Sequence, residues 1–424
     1  MKKVLLISYN ALMSSSPNGR TMQSLLQGIP KNNISLFTCY GMPDEASCAS
    51  AFKVSNRDAL RSLIFSSKSG REIDMENVSV KQSASVESDA RKGAKKAWKY
   101  LAKELVWLLG RWKNRRLKTW LKEQNPDVIL YMYGDSPAMQ RFAVYVSRML
   151  SKPLVVYSCE DYCFKDYNYI DDKKCSISFK IYQRWYKKTT KKLFANANAL
   201  ITNSDQLGKD YQEKYGIKNV STVMMASNMA YVENSAVRPE NETSVSYLGA
   251  LGNYRVKALI EIGKSLQKIN SCLKLDVYGR ADEQVRLKLE SCEGIRYHGF
   301  VSYEKVQEVM RNSSLLIEAI NNDPYVCKDK KYGLSTKYAD SFACGTPFLV
   351  YAPDAIIETR FAKEHKCAFV ATEVAELEDV LKTALFDLDA RKEQLSLAKK
   401  VTENYFDNAK NINTVNDVFN SVTR

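Results

Sequence analysis

Two histidines, His298 and His365, are all the imidazole in 424 residues. A histidine-rich metal centre or a histidine proton relay therefore has almost nothing to draw on, and structural roles are expected for both. The ten cysteines include no Cys-x-x-Cys pair. The nearest two, Cys159 and Cys163, flank Glu160, Asp161 and Tyr162. Zinc-binding and dithiol spacings are thus missing, and reduced structural thiols in a cytoplasm fit best. No apolar run approaches the length of about 18 residues that a membrane-spanning helix needs. The start has two lysines before Val4-Leu5-Leu6-Ile7, but that run is too short for a signal peptide and no small-residue cleavage site follows. It reads as a first buried strand of a soluble or peripheral protein. No repeat of 20–50 residues and no heptad pattern is evident.

The chain does carry apolar material for sizeable cores, at 45% hydrophobic residues, in a length that suits two or three domains. Its net charge of +15 is local. Between Arg91 and Lys122 twelve Lys/Arg face one acid, Glu104, and four of the five tryptophans lie in the same stretch. On a helical wheel Ala94, Trp98, Leu101, Ala102, Leu105, Leu108, Leu109 and Trp112 share one face, expected against a sheet. Trp107 points the other way, among Lys96, Lys103 and Lys118. A tryptophan ringed by lysines suits an anionic lipid surface, so Lys96, Lys99, Lys103 and Trp107 are the expected membrane contacts. The stretch lacks a recognisable nucleic-acid fold, and no nucleic-acid partner is expected.

Strand-like runs alternate with helical patterns throughout, the pattern of parallel sheets covered by helices. The first series is Val4–Ser8, Ser35–Thr38, Val128–Tyr131, Leu154–Tyr157, Leu200–Thr202 and Ser221–Met225. Residues 234–243, with Pro239 and no apolar period, read as a linker. A second series follows at Val245–Leu248, Lys274–Tyr278, Ile295–Tyr297, Leu315–Ala319, Pro347–Val350 and Ala368–Val370. The expected division is an N-terminal Rossmann-like domain over 1–233, holding a basic Trp-rich insertion at about 66–122, and a C-terminal one over 244–402. The two would face a cleft. A long helical stretch over 389–420 would let residues 403–424 return to the first domain.

Loops at the carboxyl ends of parallel strands are where ligands bind in such sheets. After the first strand, Asn18-Gly19-Arg20 sit at the opening of a helix, where peptide N–H groups can meet a phosphate. The second half opens in the same way: Gly249 and Gly252 follow a strand, and Arg255 and Lys257 lie in the first helical turn. Cations there oppose the helix dipole, so a bound anion explains them better than helix stability does, and a fork-shaped arginine suits a diphosphate. Near the end, 331–350 reads KYGLSTKYADSFACGTPFLV. A helix over about 335–343 puts Thr336 and Asp340 on one face and makes Lys337 and Asp340 neighbours.

The order Gly249-x-x-Gly252-x-x-Arg255, Leu275-Asp276-Val277-Tyr278-Gly279, Ile295-Arg296-Tyr297-His298-Gly299, then Gly333-Leu334-Ser335-Thr336-Lys337 through Gly345-Thr346-Pro347 resembles the donor half of GT-B glycosyltransferases of the family-4 type. Asn198–Ser204, before a helix ending Tyr215-Gly216, is similar to their first half, and the resemblance spans nearly the whole chain. It implies an α/β GT-B fold and transfer of a hexosyl group from a nucleoside-diphosphate sugar, UDP- or GDP-linked, with no cofactor or metal. It implies that Gly249, Gly252, Arg255 and Lys257 hold the diphosphate and that Asp340 holds the ribose hydroxyls. Tyr332 stands where many members have the first of two glutamates, so Ser335, Thr336 and Lys337 become the candidates at the phosphate end. Arg255 and Lys337 would stabilise the leaving group. Asp135, and Asp161 of the Glu160-Asp161 pair, would orient the acceptor hydroxyl. The resemblance also implies retention of configuration and a lipid-linked glycan acceptor of bacterial surface-polysaccharide synthesis, handled at the cytoplasmic membrane face. Two rival readings are a nucleotide-sugar epimerase of similar architecture and a catalytically silent nucleotide-sugar-binding scaffold.

Overall fold

Apolar runs with little alternation, such as Val4-Leu5-Leu6-Ile7, are expected in strands buried on both faces, and they form the centres of two sheets. The computed structural model describes residues 2–14, 16–45, 47–65, 69–75, 96–171, 176–227, 229, 231–332, 334 and 337–423. The chain divides into two compact units, Met1–Met224 with Asn411–Arg424, and Met225–Lys410.

In the first unit, β1 (Val4–Asn10), β2 (Ile34–Tyr40), β3 (Ser50–Lys53), β4 (Arg71–Ile73), β5 (Val128–Met132), β6 (Leu154–Ser158), β7 (Ala199–Thr202) and β8 (Val220–Thr222) make one sheet. Its order is β4-β3-β2-β1-β5-β6-β7-β8. All pairings are parallel except β3 with β4. Because β1 lies between β2 and β5, the strand order reverses there, and a crevice opens outside the carboxyl ends of β1 and β5. The helices are α1 (Pro17–Leu25), α2 (Asn56–Arg61), α3 (Ala97–Leu109), α4 (Arg115–Gln124), α5 (Pro137–Leu150), α6 (Ile177–Phe194) and α7 (Asp205–Tyr215). Ser16, Ser136, Ser176 and Ser204 start α1, α5, α6 and α7 by accepting a backbone N–H in the first turn.

The second unit repeats the plan with β9 (Val245–Leu248), β10 (Leu275–Tyr278), β11 (Ile295–Gly299), β12 (Leu315–Ala319), β13 (Phe348–Tyr351) and β14 (Phe369–Ala371). The order is β11-β10-β9-β12-β13-β14, parallel throughout. Here the reversal falls at β9, between β10 and β12. Its helices are α8 (Asn253–Ile269), α9 (Glu283–Glu290), α10 (Tyr303–Asn312), α11 (Pro324–Asp329), α12 (Lys337–Ala343), α13 (Ile357–His365), α14 (Val374–Phe386) and α15 (Leu388–Tyr405). The final helix, α16 (Asn408–Val422), packs Val415, Val418 and Phe419 into the first unit's core beside Val4 and Leu6.

The structure differs from the sequence reading in three places. The expected linker is not a free connector. Buried Arg391 on α15 donates to the carbonyls of Asn234, Ser235 and Ala236 as well as those of Ser314 and Ala384, so three carbonyls tie the start of the segment to the second unit. The single helical stretch over 389–420 is two helices, because the Asp407 carboxylate accepts the Lys410 N–H at 2.7 Å and starts a new one.

The third difference is the orientation of α3, which overturns the membrane role expected of Lys103 and Trp107. Trp107 is 2% exposed, its Nε1 donates to Asn56 Oδ1 at 2.8 Å, and it packs edge-on against Trp112. Glu104 is fully buried and accepts from Ser136 Oγ and the Ala138 N–H, both at 2.7 Å, which anchors α3 to the first turn of α5. Lys103 turns inward, 3.6 Å from Glu104 and over the rings of Tyr9 and Tyr100. Burial opposes its charge, but Glu104 and Asp135 hold its pKa above the ordinary lysine value. Most of the expected packing face is left outside: Trp98, Ala102, Leu105, Leu108 and Leu109 are exposed, while Leu101 packs beside Phe179 and Tyr182 and Trp112, beyond the helix end, is buried. Lys96 and Lys99 are exposed as expected, and Ala94 lies outside the described residues.

Candidate functional site

At the carboxyl ends of β9 and β12, three charged side chains meet. Arg255, in the first turn of α8, donates from Nη1 to Glu318 Oε1 and to the Ala319 carbonyl at 2.8 Å. Lys337, the first residue of α12, places Nζ 2.9 Å from Glu318 Oε2 and over the Tyr247 ring. Glu318 is 1% exposed and Arg255 6%. A carboxylate this deep is tolerable only when paired, and the two cations supply the pairing. With Lys337 protonated the arrangement carries a net positive charge, against burial and the neighbouring Arg255, which pull the Lys337 pKa well below the ordinary lysine value. Arg255 Nε is nevertheless buried without a hydrogen-bond partner, as are Glu358 Oε2 and Tyr338 Oη.

Glu358, on the first turn of α13, is wholly buried, and burial pushes its pKa up to about 7 against the pull of Arg255, Lys330 and Lys337. Such a group is poised to change charge near neutrality. The α8 N-terminus has Gly252 as its cap residue, and no side chain caps it; the Arg255 N–H turns back to the Gly252 carbonyl at 2.9 Å. Gly249, with φ +149, is pressed by Lys337: a Cβ there would stand 2.6 Å from Lys337 Nζ. Only glycine lets the lysine lie across this loop.

The remaining donor-site expectations divide. Asp340, half-buried on α12, accepts from Ser227 Oγ at 2.6 Å and from Tyr303 Oη at 3.3 Å. Gly345, with φ +79, ends the segment where a Cβ would come within 2.1 Å of the Val232 carbonyl. Lys257 does not join Arg255 and Lys337; it is exposed and lies 3.8 Å from Glu261. The two residues from Arg255 to Lys257 turn the side chain by about 200°, which carries it off the site face. Ser335 and Thr336 lie outside the described residues. Glu318 is the residue that sequence reasoning missed. A lone glutamate inside an apolar strand, Leu315-Leu316-Ile317-Glu318-Ala319, was its signal, because such a charge needs a partner.

In the first unit a cavity of about 150 Å³ opens at the β1/β5 reversal, lined among others by Tyr9, Asn18, Tyr133, Asp135, Glu160 and Tyr162. Asp135 reaches it; Asp161 does not line it and instead pairs with Lys165 at 3.4 Å. Its neighbour Glu160 takes that place, and burial raises the Glu160 pKa to about 7. Of the α1 loop only Asn18 lines the cavity. The Gly19 N–H is already taken by Ser16 Oγ at 3.0 Å, and Arg20 is exposed. Both histidines are structural in setting: His298 bonds Asp276 and stacks on Tyr278, and His365 packs on Phe361 and Tyr405.

No family model matches the chain, and no curated protein matches it in sequence. Solved structures do match over its whole length. HepE of Anabaena, crystallised with UDP-glucose, superposes with a TM-score of 0.61 at 11% identity, covering 99% of this chain and 100% of its own. Sucrose-phosphate synthase from Thermosynechococcus elongatus gives 0.62 at 11%, covering 99% of each chain. A glycosyltransferase from Rickettsia africae gives 0.60 at 11%, covering 100% of this chain and 99% of its own. The chain has the GT-B fold. In a GT-B chain the two strand-order reversals give each unit its own crevice, and the charged triad of Arg255, Glu318 and Lys337 occupies that of the second. Among the described residues no cluster of His, Cys, Asp and Glu could hold a metal ion, and no helix is long and apolar enough to cross a membrane.

Proposed function

We propose that this GT-B chain is a glycosyltransferase that moves a hexosyl group from a nucleoside-diphosphate sugar to a lipid-linked glycan in bacterial surface-polysaccharide synthesis, working at the cytoplasmic membrane face. The observation that carries the reading is the Arg255–Glu318–Lys337 triad, built on a buried carboxylate, beside the N-terminus of α8, which has no side-chain cap, with Arg255 Nε left without a partner. Fixed cations and open N–H groups are what a diphosphate requires. The crystallisation of HepE with UDP and UDP-glucose supports a donor of that class.

In the reaction the bond from the sugar's anomeric carbon to the β-phosphate oxygen breaks, and the bonding pair stays on phosphate. Arg255, Lys337 and the α8 N–H groups stand where that negative charge appears. Because they are held in advance by Glu318, they need no reorganisation as it develops, and one such contact is typically worth about 10²–10³ in turnover. The acceptor hydroxyl bonds to the same face of the carbon, and its proton leaves on the departing phosphate oxygen. Asp340 accepts the two ribose hydroxyls, since an ionised carboxylate has acceptor capacity beyond its bonds to Ser227 and Tyr303. Asp135 and Glu160 orient the acceptor's hydroxyl-bearing end.

A thermal-shift panel of UDP, GDP, ADP, CMP and their sugar conjugates tests the reading. A ligand at 100 times its dissociation constant stabilises the folded state by about 2.7 kcal/mol. A clear shift with one nucleoside diphosphate, lost in Arg255→Gln, is expected. No shift with any of them in a well-folded sample would end the transferase proposal. Donor consumption with no acceptor dependence would favour the epimerase instead.

A further inference from the structure

The described first unit concentrates its exposed apolar side chains on one side. Apart from Tyr40, every large one lies on α3, on α6, or on α2 and the turn after it. On α3, Trp98, Leu105 and Leu109 fall at successive helical steps, a stripe about 16 Å long, with exposures of 57, 43 and 68%. The turn after α2 adds Ile64 at 75% and Phe65 at 62%. The Arg111 N–H donates to the Ser62 carbonyl, which holds the end of α3 beside that turn. Water-facing apolar surface this concentrated is uncommon on a protein that works alone.

Charge selects the occupant. Lys96 and Lys99 on α3, Arg57 and Arg61 on α2, and Arg111 are all exposed. Their acidic neighbours are spent internally: Glu104 of α3 is buried against the start of α5, and Asp58 caps α2 through Ser55. Lys99 Nζ lies over the Trp98 ring. The face is therefore apolar in its middle and cationic at its margin, with no exposed acid contributed by residues 96–122. Apolar side chains enter the acyl boundary while the basic margin meets phosphate headgroups. A second copy of this chain would bring the same cationic margin against it.

We infer that the α2–α3 face is the surface by which the protein docks on an anionic lipid bilayer, Trp98, Leu105, Leu109, Ile64 and Phe65 entering the headgroup layer. This replaces the inward-turned Lys103 and Trp107 with the opposite face of the same helix. It deepens the lipid-linked acceptor reading and takes its purpose from it, but its test uses neither donor nor acceptor, so each can fail without the other.

The test is co-sedimentation of the full chain with vesicles of phosphatidylcholine alone or with about 30% phosphatidylglycerol, together with the emission of Trp98. Expected are binding to the anionic vesicles only, a blue shift absent from Trp98→Phe, and at least a tenfold lower partition constant for Leu105→Ser/Leu109→Ser. Lys96→Gln/Lys99→Gln should lose several-fold, with the loss vanishing in high salt. All these positions are exposed, and an unchanged circular dichroism spectrum checks that the variants fold. Equal binding to neutral and anionic vesicles, or undiminished binding by the serine variant, would overturn the inference. So would shielding of Trp98 from a soluble quencher before vesicles are added, or a dimer that the serine variant abolishes.

Discussion

Glu318→Gln removes one charge from the triad and nothing from its shape. In the native chain this carboxylate pairs with Arg255 on one oxygen and with Lys337, at 2.9 Å, on the other. The two cations that share it stand on the order of 5 Å apart, where like charges at an effective dielectric of about 20 repel by about 3 kcal/mol. Breaking a buried ion pair typically costs about 3–5 kcal/mol, so the ligand-free variant should lose about that much stability. A nucleoside diphosphate then enters a site one unit more positive and relieves the same repulsion. Its affinity should rise by about 10–100-fold, equivalent to about 1.4–2.7 kcal/mol. Thermal unfolding followed by circular dichroism reads both effects. Tryptophan emission would miss them, because all five tryptophans lie before residue 225 and Glu318 belongs to the other unit. A variant as stable as the native chain to within about 1 kcal/mol, or one no longer stabilised by any diphosphate, would refute the view of Glu318 as a buried counter-charge.

Asp340→Ala should weaken nucleoside-diphosphate binding by about 10–100-fold, the loss of two charge-assisted hydrogen bonds, while far-ultraviolet dichroism stays unchanged; calorimetric titration showing equal affinity would remove the ribose assignment. Glu358, with a pKa near 7 when folded and an ordinary carboxylate value when unfolded, holds a proton in the folded state that the unfolded chain releases between about pH 4.5 and 7. Stability should therefore fall as pH rises through that window, by about 3 kcal/mol at most. In Glu358→Gln that slope should shrink by one proton; an identical melting-temperature profile would contradict it. Arg391→Met takes the guanidinium from five carbonyls, of which those of Ser314 and Ala384 are in buried contacts, and at about 1–3 kcal/mol for each buried unsatisfied group a loss of several kcal/mol in urea unfolding is expected. A change under about 1 kcal/mol would mean that water replaces the guanidinium.

The strand series was legible because buried parallel strands are written as short apolar runs: Val245–Leu248 and Leu315–Ala319 match the observed strands residue for residue. The two shortest strands at one side of the first sheet's order were not. Ser50–Lys53 and Arg71–Ile73 are three or four residues long and carry no apolar period, so they exist only through the partner that completes their hydrogen bonds. Among site residues, Arg255 could be named from the sequence, since a cation in a first helical turn invites an anion, and Lys337 from the family resemblance; the same helical argument named Lys257, which lies off the site. Glu318 could not be assigned to them, because 63 residues separate it from Arg255 and only the adjacency of β9 and β12 makes them touch.

The sequence by itself determined that two largely parallel sheets would form, where along the chain most strands lie, and which helix of the basic stretch is amphipathic. These are local properties, set by periodicity and by the residues that cap and turn the chain. The tertiary structure alone decided which face of that helix is buried. Its periodicity distinguishes an apolar face from a polar one, but the hydrogen bonds that Glu104 accepts from Ser136 and Ala138, and the one that Trp107 donates to Asn56, turned the other face inward. It likewise chose Glu160 over Asp161 for the cavity, because neighbouring residues in a loop point apart and only the packed chain decides which one finds Lys165.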